Sequence, residues 1–208
     1  ASSEDDETVT SVLTPVFNPP ARDVSRMDPP VVPADRLDDW HRVEHTTERP
    51  FAAGPVSVAA TTVRYERPAE QPPAPFFFAS RLAIRPETSP NRALTRLVER
   101  RARAGFRDRL ADRDIEGVES HGERRIGIKD PAASRATLVT YRGQAVIEPV
   151  EDPPSETGTS TPGRVPVEAL LAVWTADDYL LAGGGYPLDD GAEEARRTLL
   201  RLVRRVRG

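Results

Sequence analysis

The segment HRVEH, which begins at His41, has the residue types and spacing of an inverted zinc metalloprotease motif. On a helix, His41 and His45 would share a face and bind Zn²⁺, and Glu44 would activate the bound water. The flanking residues are β-branched or aromatic and the run ends at Pro50, which favours an extended segment. In a strand, His41, Val43 and His45 would share one face and Glu44 would lie on the other. We therefore expect a strand, and the alternative is a zinc-dependent hydrolase that uses His41, Glu44 and His45.

A run of three glycines, Gly183 to Gly185, precedes a predicted helix and raises the question of phosphate binding. The run lacks the lysine and the hydroxyl residue of a P-loop. Glu193 and Glu194 at the helix start would repel an anion. We expect these glycines to let the last strand bend or to admit another backbone closely.

Arginine residues on two predicted helices could contact nucleic acid. The chain as a whole is acidic, with a formal charge of −4, and acidic residues are interspersed among the arginines. Aromatic residues that could stack on bases are few, at 6% of the chain. We expect solvated helix faces and no nucleic-acid partner.

The charged residues indicate a habitat more clearly than an activity. Of the 29 Lys+Arg residues only Lys129 is a lysine, and Asp+Glu number 33. Carboxylates bind water and cations well, and a guanidinium is less strongly hydrated than an ammonium group. This composition is typical of a salt-adapted organism with a GC-rich genome. Cysteine is absent, which excludes disulfides, thiolate metal sites and cysteine nucleophiles.

No apolar run approaches the roughly 18 to 20 residues that a membrane-spanning helix needs, so no span is expected within the chain. The sequence starts at Ala1 without an apolar leader. We expect an extracytoplasmic protein that was anchored or exported through a removed N-terminal segment, with a cytoplasmic location as the alternative.

Residues 1–36 are acidic and rich in proline, and they predict an N-terminal arm. Residues 37–208 predict one domain, interrupted by a polar, mobile loop at 150–163. Hydrophobic periodicity assigns the elements of that domain. They are, in chain order, strands over 40–49, 56–66 and 76–85, a helix over 88–105, strands over 117–129 and 135–148, a hairpin over 165–187 and a helix over 191–207.

Two of these elements carry the clearest local signals. In the strand 76–85, Phe76, Phe78 and Leu82 share one face and Phe77 takes the other. The helix 88–105 is expected to start at the N-cap Ser89, with Pro90 in the first helical position, and to end just before Gly105. No strand–helix–strand alternation is present. We therefore predict an α+β fold, an antiparallel β-sheet with helices packed on its faces.

The segment WTADDYLLAGGGYP, with Trp174, Asp178, Gly183, Tyr186 and Pro187, resembles a group of uncharacterised haloarchaeal proteins, and the similarity covers residues 37–208. The element order is similar to the PsbP/Mog1-like α/β/α sandwich. The resemblance implies an exported or lipoprotein-like protein. Proteins of this fold are mostly binding and assembly factors, which is an analogy of fold alone.

From the residues and the resemblance we expect a non-enzymatic binding or accessory domain, without catalytic residues or a cofactor, whose protein partner the sequence does not identify. The predicted interaction surface comprises Phe76, Phe78, Trp174 and Tyr186, because exposed aromatic residues are enriched at interfaces. Packing of these four residues in the core is the alternative interpretation. A structural component of the cell surface is a further alternative function.

Overall fold

The computed structural model describes residues 27–53, 56–86, 90–147 and 163–208. Most of the predicted N-terminal arm, Ser89 and nearly all of the predicted loop at 150–163 lie outside the described residues. The first described residues already contact the domain. The backbone of Val31 exchanges two hydrogen bonds with that of Arg207, at 2.9 and 3.1 Å. The carbonyl oxygen of Met27 accepts a hydrogen bond from the Thr61 hydroxyl at 3.3 Å.

Within the described residues, seven strands form one sheet in which all neighbours are antiparallel. The strands are β1 (His41–Ala53), β2 (Val56–Glu66), β3 (Phe76–Arg85), β4 (Ile115–Asp130), β5 (Ala133–Ile147), β6 (Gly163–Thr175) and β7 (Tyr179–Pro187). The spatial order is β1-β2-β3-β7-β6-β5-β4, so two meanders meet where β3 pairs with β7. The predicted antiparallel α+β fold is confirmed.

Helices α1 (Arg92–Ala111) and α2 (Ala192–Val203) cover opposite faces of the sheet. Buried Phe106 of α1 packs in the same cluster as Phe76, whereas buried Leu199 of α2 packs in the same cluster as Phe77. Successive strand residues therefore enter separate cores, which is why β6 is a nearly continuous apolar run. Neither helix in the described part of the chain is long and apolar enough to cross a bilayer.

Helix α1 differs from its prediction at both ends. Its N-cap is Asn91, whose side-chain oxygen accepts a hydrogen bond from the Leu94 amide at 3.0 Å. The helix continues through Gly105 to Ala111, so the predicted end at Gly105 is wrong. A glycine inside a helix costs about 1 kcal/mol relative to alanine. Burial of Phe106 and Leu110, 3% and 1% exposed, offsets that cost.

Helix α2 ends at Val203, four residues before the predicted end. The following residues leave the helix because the chain turns back to the sheet and the N-terminal segment. The carbonyl of Arg204 accepts a hydrogen bond from the Lys129 amide at 2.8 Å. Val206 is fully buried in the core beneath α2. Tertiary packing of these last residues outweighs their helical periodicity.

The glycine run in β7 lets neighbouring groups approach closely, as predicted. Gly183 and Gly185 pair with Phe78 and Phe76 across the β3–β7 ladder. A Cβ atom at Gly185 would lie 2.7 Å from the Phe76 ring, and one at Gly184 would lie 2.1 Å from a backbone oxygen of β3. These positions exclude any side chain because the space above them is occupied by β3 and by aromatic rings.

Candidate functional site

The HRVEH segment lies in the edge strand β1, so the prediction of an extended segment is confirmed. The pairing of β1 with β2 shifts by one residue at Val43. His41 therefore pairs with Glu66, and His45 pairs with Val63, whose side chain belongs to the core under α2. The prediction that the two histidines share one face of the strand is wrong. The bulge inserts one residue, which reverses the alternation of side chains between the two faces beyond it.

Glu44 forms an ion pair with an arginine and does not face the two histidines as a metal site would require. Its carboxylate lies 3.1 Å from the guanidinium of Arg64 on the adjacent strand. With His41 and His45 on opposite faces, the three side chains do not converge on one point. Among residues 27–53, 56–86, 90–147 and 163–208, no group of three or more His, Asp or Glu side chains could hold a metal ion.

The four aromatic residues of the predicted interaction surface lie on two faces of the sheet. Phe76 and Phe78 face α1, and Trp174 and Tyr186 face α2. Phe76, Trp174 and Tyr186 are 6%, 3% and 1% exposed. They pack in the two cores, the alternative that the sequence left open, and the four do not share one exposed surface. Phe78 is partly exposed and lines a cavity.

A cavity of about 260 Å³ lies between α1 and the sheet, and we call it the α1 cavity. The backbone of α1 comes closest to β4 and β6, so the helix stands away from β2 and β3 on its other flank. Most of the lining is apolar. The sheet contributes Val58, Ala60, Phe78, Leu82, Leu171 and Leu181, and the helix contributes Leu94, Leu97, Val98, Ala102 and Phe106.

Small residues on α1 keep part of this space open. Ala102 and Gly105 both line the α1 cavity. A Cβ atom built on Gly105 would meet no atom within 4 Å, so the volume beside this glycine is empty. Sequence reasoning assigned Gly105 to a helix end. The signal that it missed is the continuation of the apolar stripe to Phe106 and Leu110, which places a small residue inside the helix.

The floor of the α1 cavity contains one buried polar pair. Thr62 and Ser80 are register partners on β2 and β3, and their hydroxyl oxygens lie 2.7 Å apart. Both residues are 7% exposed and both line the cavity. One hydroxyl donates to the other, which leaves the hydrogen of the second hydroxyl available to an acceptor in the cavity.

A second cavity of about 310 Å³ lies next to the first, toward the C-terminal end of α1, and we call it the vestibule. The two cavities share Glu48, Phe78, Phe106 and Arg109. The guanidinium of Arg109 and the carboxylate of Glu48 are 3.5 Å apart and about half exposed, at 47% and 51%. This ion pair joins α1 to β1 at the boundary between the apolar and the charged space.

A buried carboxylate lies beneath the other helix. Glu168 of β6 is 1% exposed and its Oε1 accepts hydrogen bonds from the Tyr186 hydroxyl and, at 2.8 Å, from Arg196 of α2. Its Oε2 accepts a bond from Arg142 of β5 at 3.5 Å. Burial, and then the hydrogen bond to Glu168, raises the pKa of Tyr186, so the hydroxyl stays protonated and donates.

This cluster, Glu168 with Tyr186, Arg142 and Arg196, ties α2 to three strands. Each carboxylate oxygen has a donor, so the charge is compensated where water does not reach it. Glu168 lines neither the α1 cavity nor the vestibule. The arrangement therefore stabilises the sandwich. The sequence signal was a single glutamate inside the apolar run VPVEALLAVW, which sequence reasoning did not single out.

Comparison with known proteins places the chain in a family but supplies no activity. Searches of curated proteins and of solved structures found no match. A family model described as "Domain of unknown function (DUF6517)" matches residues 29–207, which include all the strands and helices described above. Because this match covers most of the sequence, the chain belongs to the DUF6517 family.

Proposed function

We propose that the chain is a non-enzymatic binding domain and that the α1 cavity holds a small, mainly apolar ligand. The observation that carries the proposal is an apolar space of about 260 Å³ between helix and sheet. The space is partly open to solvent, so a ligand could enter it. Concave, mostly apolar sites with a few placed polar groups are typical of small-molecule binding.

The volume limits the size of the ligand. An engineered apolar cavity of about 150 Å³ in another protein binds benzene. By proportion, a cavity of about 260 Å³ accommodates about ten non-hydrogen atoms. An apolar bicycle or a medium-length alkyl chain has this size.

The hydroxyl pair adds a preference for one polar atom. The Thr62–Ser80 hydrogen bond uses one of the two hydroxyl hydrogens and leaves the other to be donated. A ligand oxygen near this point would accept it. A hydrogen bond contributes about 0.5 to 1.5 kcal/mol net, so such an oxygen should strengthen binding measurably.

Filling the cavity tests this proposal without disturbing the sheet. Gly105→Leu places a side chain into the empty volume, and Gly105→Ala is the matched control that leaves most of it open. Binding of 1-naphthol, an apolar bicycle with one oxygen, is measured by titration calorimetry and ligand-observed NMR. Wild type and Gly105→Ala are expected to bind, and Gly105→Leu is expected to lose binding.

Two results would contradict this assignment. One is a wild-type protein that binds neither 1-naphthol nor similar apolar bicycles. The other is a Gly105→Leu variant that unfolds cooperatively, as the wild type does, and still binds with unchanged affinity. Circular dichroism and thermal unfolding of each variant separate loss of binding from loss of fold.

We also propose that the protein binds its ligand outside the cytoplasm of a haloarchaeon. The acidic composition with Lys129 as the only lysine supports salt adaptation, and the resemblance supports export and a PsbP/Mog1-like fold. The arrangement of helices on both faces of the sheet agrees with an α/β/α sandwich. Fractionation of native cells tests the location. Recovery of the protein with the cytosol would refute this part of the proposal.

A further inference from the structure

The α1 cavity and the vestibule lie side by side along α1. The lining of the mainly apolar α1 cavity runs from Leu94 to Arg109 on the helix, and the lining of the charged vestibule runs from Phe106 to Arg113. The two spaces share lining residues, so they are adjacent. A ligand longer than the α1 cavity would extend past these residues into the vestibule.

The charges of the vestibule are balanced. Arg64 pairs with Glu44 at 3.1 Å, and Arg109 pairs with Glu48 at 3.5 Å. A third guanidinium in the vestibule, that of Arg113, also pairs with a carboxylate and lies 4.1 Å above the ring of a phenylalanine. Asp112 also lines the vestibule, so three guanidinium groups and three carboxylates surround it, and an ionised head group of either sign meets no excess of opposite charge. A dipolar or hydroxylic head group can contact guanidinium and carboxylate groups together.

One donor in the vestibule has no acceptor. The Nε atom of Arg64 is buried and makes no hydrogen bond. A buried donor without a partner is unfavourable, and an oxygen of a bound head group would satisfy it. The aromatic rings of Phe76, Phe78 and Phe106 form apolar walls around this point.

We infer that the ligand is an amphiphile whose apolar body occupies the α1 cavity and whose polar head, without net charge, occupies the vestibule. The inference rests on the proposed function, because it names the ligand class of the same site. The balanced ion pairs provide selectivity against charged heads. The Arg64 donor provides a point for an oxygen atom of the head group.

Three amphiphiles with the same octyl chain test the head-group selectivity. They are 1,2-decanediol, nonanoate and octyltrimethylammonium, titrated below their micelle concentrations and followed by calorimetry. The wild type is expected to bind the diol more tightly than either ion. Glu48→Gln frees Arg109, so the affinity for nonanoate relative to the diol should rise about two- to fivefold, the range of an exposed ion pair.

Arg109→Gln should produce the opposite change and raise the relative affinity for octyltrimethylammonium about two- to fivefold. Gly105→Leu should weaken all three ligands together, because it fills the apolar part. If the wild type binds none of the three, both the proposed function and this inference fail. If it binds all three equally, and neither charge variant alters their ratios, only the inference about the head group fails.

Discussion

The hydrogen bonds of the buried Glu168 carboxylate predict that its removal lowers the free energy of unfolding. In Glu168→Gln the side chain keeps its shape but replaces one acceptor oxygen by an NH₂ group. That group would face a donor, either Arg142 on one side or Tyr186 and Arg196 on the other. The variant therefore loses the negative charge and at least one of its hydrogen bonds.

The magnitude follows from the exposure of the partners. A hydrogen bond to a charged group contributes about 1.5 to 3 kcal/mol. The side chains of Arg142 and Arg196 are 48% and 32% exposed, so water solvates them in part when the carboxylate is lost. We therefore expect Glu168→Gln to lower the free energy of unfolding by about 2 kcal/mol, near the low end for a charged bond. For a chain of this size that corresponds to a decrease in Tm of about 4 to 8 °C.

The assay is equilibrium unfolding by denaturant, with circular dichroism, at two salt concentrations. The matched control is Glu116→Gln, because Glu116 and its partner Arg164 are 60% and 58% exposed at a separation of 3.1 Å. We expect the control to change stability by less than about 0.5 kcal/mol. Salt screens exposed charges far more than buried ones, so the effect at Glu168 should persist at about 1 M salt. Equal unfolding midpoints for the two variants would refute the reasoning.

Three further changes have expected outcomes. Gly105→Ala should raise the free energy of unfolding by about 1 kcal/mol, because the helix gains propensity and the added methyl group meets no atom within 4 Å; unchanged denaturant midpoints would contradict this. Since the folded-state pKa of Tyr186 is raised above 10.0, by burial and then by Glu168, wild-type stability should fall as pH rises above about 10, by up to about 1.4 kcal/mol per pH unit from this group. Tyr186→Phe should show a shallower decline in unfolding free energy over the same pH range, and parallel pH profiles would count against the assignment. Gly184→Ala should lower the free energy of unfolding by about 3 kcal/mol, since its Cβ would lie 2.1 Å from a β3 carbonyl oxygen. Gly122→Ala is the control and should be nearly neutral, because its Cβ would meet no atom within 4 Å. Similar thermal unfolding of the two variants would show that the close contact at Gly184 does not restrict the side chain.

Strands were the most predictable part of the fold. The alternation of Phe76, Phe77 and Phe78 assigned these residues to opposite faces, and the two cores contain them as expected. The hairpin of β6 and β7 was predicted from two apolar runs around a short polar turn, and it lies where expected. These features depend on side-chain direction along a few consecutive residues, which the pleat of a strand determines locally.

The candidate site was not predictable in the same way. Thr62 and Ser80 meet only because β2 and β3 pair in one register. Gly105 lines an empty space only because α1 lies closer to β4 and β6 than to β2 and β3. The distance between two packed layers depends on contacts among residues that are far apart in the chain, so no local pattern reports it.

The amino-acid sequence by itself determined the strands, the antiparallel sheet and the presence of two amphipathic helices, because periodicity and turn residues act over short stretches. Only the tertiary structure decided that a bulge at Val43 separates His41 from His45, that Glu168 is compensated by three partners, and that a cavity remains beside Gly105. Each of these outcomes depends on the relative placement of elements distant in the chain, which burial and hydrogen bonding of the whole fold determine together.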